Sequence, residues 1–254
     1  MRWRTMLKDP RVKRIIKMLK ELIYPEGFPC VGCWSEGRLY QRNLCAKCTK
    51  TLERNVRVCP VCGRSNYTGL CEDCRKGRQF SKAIAPYKYK GSAKGMVISL
   101  KYRDATHAAD IMAQDIAAIW DDDIRVDVMT GVPSSQEAFI KRGYNQSYEI
   151  ATRLSEIINV PFRELIGLKR SGKSQHFLTK EQRRQQYIDS FSCIGDVKNK
   201  RVLLVDDVLT TGATADACAR VLIQSGALDV YVAVFASVPY NTAKYQKIAK
   251  KNSK

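Results

Sequence analysis

Residues 201–214 read RVLLVDDVLTTGAT, and this stretch decides the fold. Val202, Leu203, Leu204 and Val205 form an unbroken apolar run, the pattern of a strand buried on both faces of a parallel sheet. Two adjacent carboxylates follow, Asp206 and Asp207. Val208 and Leu209 then lead into a turn of Thr210, Thr211, Gly212, Ala213 and Thr214, after which an Ala-rich helical pattern begins. Strand, turn and helix N-terminus in that order make an anion site, because backbone N–H groups, hydroxyls and the positive end of a helix dipole converge there. The C-terminal end of a strand is also where α/β sheets bind ligands. Two carboxylates beside such a turn suit the vicinal hydroxyls of a sugar whose phosphate the turn holds. An ordinary buried strand with a polar turn leaves that coincidence unexplained.

VLLVDDVLTTGAT closely resembles the phosphoribosyl pyrophosphate (PRPP) motif of type I phosphoribosyltransferases. The resemblance implies that Asp206 and Asp207 bind ribose hydroxyls. It implies also that Thr210, Thr211, Gly212, Ala213 and Thr214 wrap the 5-phosphate, with Val208 and Leu209 among the PRPP-binding residues.

Working outward, VDVMTGV at 126–132 predicts a core strand that runs into Pro133, Ser134 and Ser135 and then Lys141-Arg142-Gly143-Tyr144-Asn145-Gln146. Hydroxyls, N–H groups and two cations after a strand form a candidate pyrophosphate loop, and it matches that loop of the type I fold in position. Helical periodicity over 147–158 and a short strand at 165–168 follow. The stretch KRSGKSQHFLTKEQRRQQ, 169–186, is the most polar long segment of the chain. It is either a solvated loop or a mobile lid whose Lys169, Arg170, Lys173 and Gln175 close over the ligand and exclude water. Downstream, 214–226 predicts a helix, 230–238 a core strand, and 243–254 a basic tail. Upstream, SKAIAPYKYKG at 81–91 reads as strand, and 93–100 and 106–120 as helices split by Lys101-Tyr102-Arg103-Asp104. Asp121, Asp122 and Asp123 read as a solvated turn. His107 and His176 lack metal-ligand spacing, and Cys193 and Cys218 read as isolated buried or half-buried residues.

The other eight cysteines fall within 45 residues as four CxxC pairs: Cys30/Cys33, Cys45/Cys48, Cys59/Cys62 and Cys71/Cys74. Each pair can set two thiolates on one face of a tight turn, and two such knuckles complete a tetrahedral Zn²⁺ site. Four disulfides fit poorly in a chain without a secretion signal, and an iron–sulfur cluster does not explain paired knuckles so simply. Two structural zinc ions are expected. Neighbouring pairs most simply share a metal, and interleaved pairing is the alternative. Spacers of 11, 10 and 8 residues suit compact ribbons.

Residues 1–90 carry 21 Lys/Arg against 7 Asp/Glu, within a net charge of +19 for the whole chain. Eight thiolates and two Zn²⁺ reduce that excess without reversing it. Arg38, Arg42, Lys47, Lys50, Arg54, Arg57 and Arg64 are interleaved with Trp34, Tyr40 and Tyr67. That mixture suits single-stranded nucleic acid through phosphate contacts and base stacking. A ribbon that docks only against its own chain is the competing reading. Residues 1–26 predict a basic amphipathic helix after Asp9-Pro10, packed on the protein itself, a partner or a membrane surface. No run of 18 apolar residues predicts a transmembrane helix, no signal peptide is recognisable, and the expected location is the cytoplasm. The domain reading is therefore helix 1–26, double zinc ribbon 27–79, α/β domain 80–242 and tail 243–254.

Taken together, the CxxC ribbon, YKYKG, LKYRD, VPSSQEAFIKRGYNQS, KRSGKSQHFLTKEQRR and VLLVDDVLTTGAT resemble the ComF (ComFC-type) family of competence proteins over nearly the whole length. The resemblance implies a type I phosphoribosyltransferase fold, a mostly parallel sheet flanked by helices, with an N-terminal double zinc ribbon. It also implies a role in natural transformation, handling single-stranded DNA beside a helicase-like partner. Tyr187 stands where the family's R-x-x-N pattern has Asn. Three functions are weighed. The first is an active transferase, with Mg²⁺ bridging PRPP and with Asp206, Asp207, Lys141 and Arg142 as catalytic candidates. The second is a nucleic-acid-binding adaptor that senses PRPP without catalysis. The third is nucleobase salvage, for which a basic zinc module has no use.

Overall fold

A computed structural model describes residues 29–121, 123–169 and 189–240. The N-terminal helix expected over 1–26, Tyr187 and the basic tail lie outside the described residues, as do Arg170, Lys173, Gln175 and His176 of the polar segment. After a short 3₁₀ turn, Gln41–Asn43, the elements are α1 (Ala46–Lys50), α2 (Glu72–Arg75), β1 (Lys82–Ile84), β2 (Tyr87–Lys88), α3 (Gly91–Tyr102), α4 (His107–Ala117) and β3 (Val128–Gly131). There follow α5 (Gln136–Arg142), α6 (Gln146–Ile158), β4 (Ile166–Leu168), β5 (Phe191–Cys193), β6 (Arg201–Leu209), α7 (Ala213–Gln224) and β7 (Asp229–Ser237).

β6 lies between β3 and β7, and both pairings are parallel. β1 and β2 run in line along the outer edge of β7, also parallel, interrupted at Ala85-Pro86. Proline has no N–H to give a ladder, so the predicted single strand divides there. The apolar run of β6 feeds two cores by strict alternation. Val202 and Leu204 join Val230, Val232 and Val234 of β7 under α7, whose Ala215, Ala219 and Leu222 are buried there. Leu203 and Val205 point the other way, to Met96 and Leu100 of α3, Met112 and Ile116 of α4, and Ile150 and Leu154 of α6. All four β6 side chains are fully buried, each worth about 1.5–3 kcal/mol. A strand covered on both faces has no polar side to display, hence its unbroken apolar sequence.

The cysteine-rich segment straddles this sheet. Cys30, Cys48, Val31 and Leu44 join the α3–α4–α6 core, while Cys59, Cys62, Cys71 and Cys74 join the α7 core. The first unit sits on α3 so closely that a Cβ on Gly95 would stand 1.6 Å from the Gly32 carbonyl oxygen. The Ser92 hydroxyl donates to the Cys48 carbonyl at 2.7 Å, and Arg42 pairs with buried Asp115 at 2.8 Å.

The predicted loop before Gln146 contains a helix instead. The Ser135 side chain caps α5 by accepting from the Ala138 N–H, and Gly143 ends it at φ 79° with its N–H on the Phe139 carbonyl. An N-cap serine and a left-handed glycine spaced one short helix apart are sufficient to close those turns.

Gly95→Ala is expected to lower the unfolding free energy by about 1–3 kcal/mol or more, because the clash is with backbone. Lys94→Ala, on the exposed side of α3, should leave the thermal midpoint nearly unchanged.

Candidate functional site

β6 ends in Asp206 and Asp207, and a cleft of about 250 Å³ opens over them. Its lining includes Tyr89, Lys101, Ser134, Gln146, Ser147, Asp206, Asp207, Val208, Thr210 and Thr214. The cleft therefore gathers β2, α3, the β3–α5 turn, the start of α6 and the β6–α7 turn at the C-terminal edge of the sheet.

The two carboxylates have different partners. Asp206 Oδ1 accepts from the Ser147 hydroxyl at 2.7 Å and from the Asp207 N–H at 2.8 Å. Asp207 is 2% exposed, and its Oδ2 lies 2.5 Å from the Lys101 ammonium. Burial, and then the Asp207 charge, pushes Asp206 up from the ordinary 3.8 to about 7. Burial works to lower Lys101, but the attraction of Asp207 outweighs it and the net shift is upward. The ligand-free cleft thus holds its acid pair close to charge balance.

Ser147 is placed by Asn145. The Asn145 side chain donates to the Val132 carbonyl at the end of β3 and accepts from the Ser147 and Tyr148 N–H groups, capping α6. Close packing reinforces this, since a Cβ on Gly131 would stand 2.6 Å from the Tyr148 ring. Opposite, Gly212 turns the chain at φ 83° into α7, a backbone conformation that favours glycine. The Thr211 hydroxyl accepts from the Ala213 N–H. Oxygen acceptors beside a helix N-terminus suit a polyhydroxyl ligand with an anionic end.

Of the residues singled out from the sequence, Ser134, Asp206, Asp207, Val208, Thr210 and Thr214 line the cleft. Leu209 points into the α7 core, and Ser135 caps α5. Thr211, Gly212 and Ala213 complete the turn. Lys141 and Arg142 approach the exposed Tyr102 ring, each 5.7 Å from its centroid, and Arg142 also donates to Gln146 in the cleft wall. Lys169 is exposed, and its N–H bonds the Ser190 carbonyl, so the described residues on either side of 170–188 meet. Lys101 and Ser147 were not singled out as site residues, and Asn145 was named only as part of the candidate pyrophosphate loop. Lys101 follows buried Val97 by one helical turn, on the inward stripe of α3, a signal the sequence does contain.

The cysteines form two groups, Cys30/Cys33/Cys45/Cys48 and Cys59/Cys62/Cys71/Cys74, so neighbouring pairs associate and the interleaved alternative is set aside. Within each group the ligand atoms lie within 4.8 Å of one another. Cys33–Cys45 and Cys62–Cys71 measure 3.8 and 3.7 Å. Tetrahedral Zn–S bonds require about 3.8 Å between sulfurs, so the donor sets fit zinc. N–H groups of Cys45 and Cys71 point at the sulfurs of Cys30 and Cys59. The hydrogen bond with Cys74, aided by Arg64, draws Cys62 down to about 4.

A family profile described as phosphoribosyl transferase domain matches residues 142–254. The DNA utilization protein YhgH of Escherichia coli O157:H7 is 26% identical over 199 residues, covering 74% of this chain and 88% of that protein. The competence protein ComFC of Bacillus subtilis (strain 168) is 26% identical over 200 residues, covering 72% of this chain and 79% of that protein. The chain is a relative of the ComF proteins. A solved glutamine PRPP amidotransferase from B. subtilis, complexed with ADP and GMP, aligns at TM-score 0.40 and 22% identity. That alignment covers 54% of this chain and 30% of the longer enzyme. The ComF-like chain thus combines a type I phosphoribosyltransferase fold with an N-terminal double Cys₄ module. Among the described residues no helix is long and apolar enough to cross a membrane.

Asp206, raised to about 7, makes the folded state prefer its proton. Its contribution to stability is complete below the ordinary carboxylate pKa and is lost as pH rises through about 7. The thermal midpoint of ligand-free protein should therefore fall between pH 5 and pH 8, and Asp206→Asn should flatten that fall. Identical profiles for the two proteins would remove the buried-proton assignment.

Proposed function

We propose that this chain binds PRPP in the β6 cleft, transfers its phosphoribosyl group, and serves the handling of single-stranded DNA in natural transformation. The observation that carries the ligand is the acid pair set directly against the Thr210–Thr214 turn, inside one cleft. In this reading Asp206 and Asp207 accept from the ribose hydroxyls and the turn takes the 5-phosphate. Ser134 and the α5 region face the pyrophosphate, with Lys141 and Arg142 at the rim. The oxygen donors of the cleft suit Mg²⁺, which when bound neutralises charge on the departing pyrophosphate. The protein's part is to orient the sugar, balance the buried carboxylates through Lys101 and exclude water. The cysteine sulfurs would hold two zinc ions and stabilise the N-terminal module without an open coordination position.

The nucleic-acid part rests on the relatives, whose names speak of DNA utilization and competence, and on the module's surface. Arg38, Lys47, Lys50, Arg54 and Arg57 are exposed there, with Tyr40 half exposed under Arg38. Arg42 and Arg64 do not belong to that surface, since one pairs with Asp115 and the other is buried. Tyr67 packs edge-on against Tyr240, and Trp34 lies half-buried under Arg103. A cytoplasmic site of action beside a helicase-like partner completes the proposal.

Asp206→Ala/Asp207→Ala is expected to weaken PRPP binding by about 100-fold or more in calorimetry, from two lost charge-assisted hydrogen bonds. Single-strand binding to the exposed cations should survive in that variant and weaken steeply with salt. Unchanged PRPP affinity would refute the cleft assignment. Normal transformation by the PRPP-blind variant would refute the catalytic role in transformation.

A further inference from the structure

The second Cys₄ group touches the β6–α7 turn through two arginines that the reading above leaves without a task. Arg64 is 5% exposed. Its Nε points at Cys62 Sγ (3.4 Å) and its Nη2 at Cys71 Sγ (3.7 Å) and Asp73 (2.5 Å), while Nη1 donates to the Thr210 carbonyl at 3.4 Å. Arg78 donates from Nη2 to the next carbonyl, that of Thr211, at 2.8 Å. Its guanidinium lies over Gly212, where a Cβ would stand 3.3 Å from Nη1. The Gln79 N–H bonds Asp216 in the first turn of α7 at 2.8 Å. Two successive carbonyls of the turn are thus held from outside by one module.

In a trans peptide the carbonyl and the following N–H point in opposite directions. A donor on the Thr210 carbonyl therefore turns the Thr211 N–H away from the ribbon, and a donor on the Thr211 carbonyl does the same for Gly212. Those N–H groups are the ones an anion in the turn would need. Arg64 ties the turn to the cluster by geometry, because its Nε and Nη2 face the Cys62 and Cys71 sulfurs while its Nη1 holds the Thr210 carbonyl.

We propose that Arg64 and Arg78 are positioning residues that clamp the phosphate loop from its outer side, and that through them the second Cys₄ site sets the loop's affinity for a sugar phosphate. This rests on the reading of the turn as the 5-phosphate site.

The test uses the full chain with ribose 5-phosphate as probe, measuring calorimetric affinity and ligand-free amide exchange at Thr211 and Gly212. Arg78→Ala should bind ribose 5-phosphate about tenfold more weakly and exchange faster at both amides, with Arg78→Lys partly restoring each. Cys71→Ser, at the second cluster, should speed the same amides. Cys33→Ser, at the first, should leave them at the rate of the unsubstituted chain. Circular dichroism separates these effects from unfolding, and Arg78 is the milder site because it keeps the cluster intact. Failure of the unsubstituted chain to bind ribose 5-phosphate overturns the phosphate-site reading. Normal binding that Arg78→Ala leaves intact, with unchanged exchange, overturns the clamp alone. Equal acceleration by Cys33→Ser and Cys71→Ser overturns the assignment to the second cluster.

Discussion

A charge buried at the end of a central strand has to be compensated, and that constraint organises the cleft. Asp207 sits on β6 with almost no exposure, and the Lys101 ammonium answers it at 2.5 Å. Removing one partner of such a pair costs about 3–5 kcal/mol, because the survivor stays buried. α3 must therefore end where Lys101 can reach Asp207. Asp206, the residue before it on the strand, has no cation so close among the described residues. It relies on Ser147 and the Asp207 N–H and holds a proton more readily than an ordinary carboxylate. The arrangement keeps two acidic groups side by side without a full second charge, and a ligand that brings cations or hydroxyl donors can exploit both.

The cysteine module is part of this machinery in a structural sense. One Cys₄ unit adds to the core on each face of the sheet, so the segment that looked like an appended ribbon closes both ends of the hydrophobic interior. Gly95 and Gly32 make the first contact almost backbone to backbone, and Arg64 makes the second through a buried guanidinium. Docking against the chain itself and binding an external polymer are compatible, since inward-facing Arg42 and Arg64 serve the first while exposed Arg38, Lys47, Lys50, Arg54 and Arg57 are available for the second.

Much of this was legible in residues 201–214. An apolar run without alternation, an acid pair and a Thr/Gly turn give strand, turn and helix start, and β6, the turn and α7 stand at those places. Spacing favoured neighbouring knuckles but left interleaved pairing open, and the two groups of sulfurs decide between them. Tertiary partners were harder to read. Lys101 looks like a linker residue until α4 and β6 are folded around it, and Arg64 looks like one more surface cation in a basic segment. α5 was missed for a local reason: seven residues carry too little periodicity to be told from a loop unless Ser135 and Gly143 are recognised as caps.

The central claim is that Asp206, Asp207 and the Thr210–Thr214 turn hold one sugar phosphate between them. A crystal structure with ribose 5-phosphate bound tests it most directly. The account predicts the phosphate against the N–H groups at the start of α7 and the vicinal hydroxyls on Asp206 and Asp207. A ligand seated elsewhere, with the cleft over β6 unchanged, would contradict it.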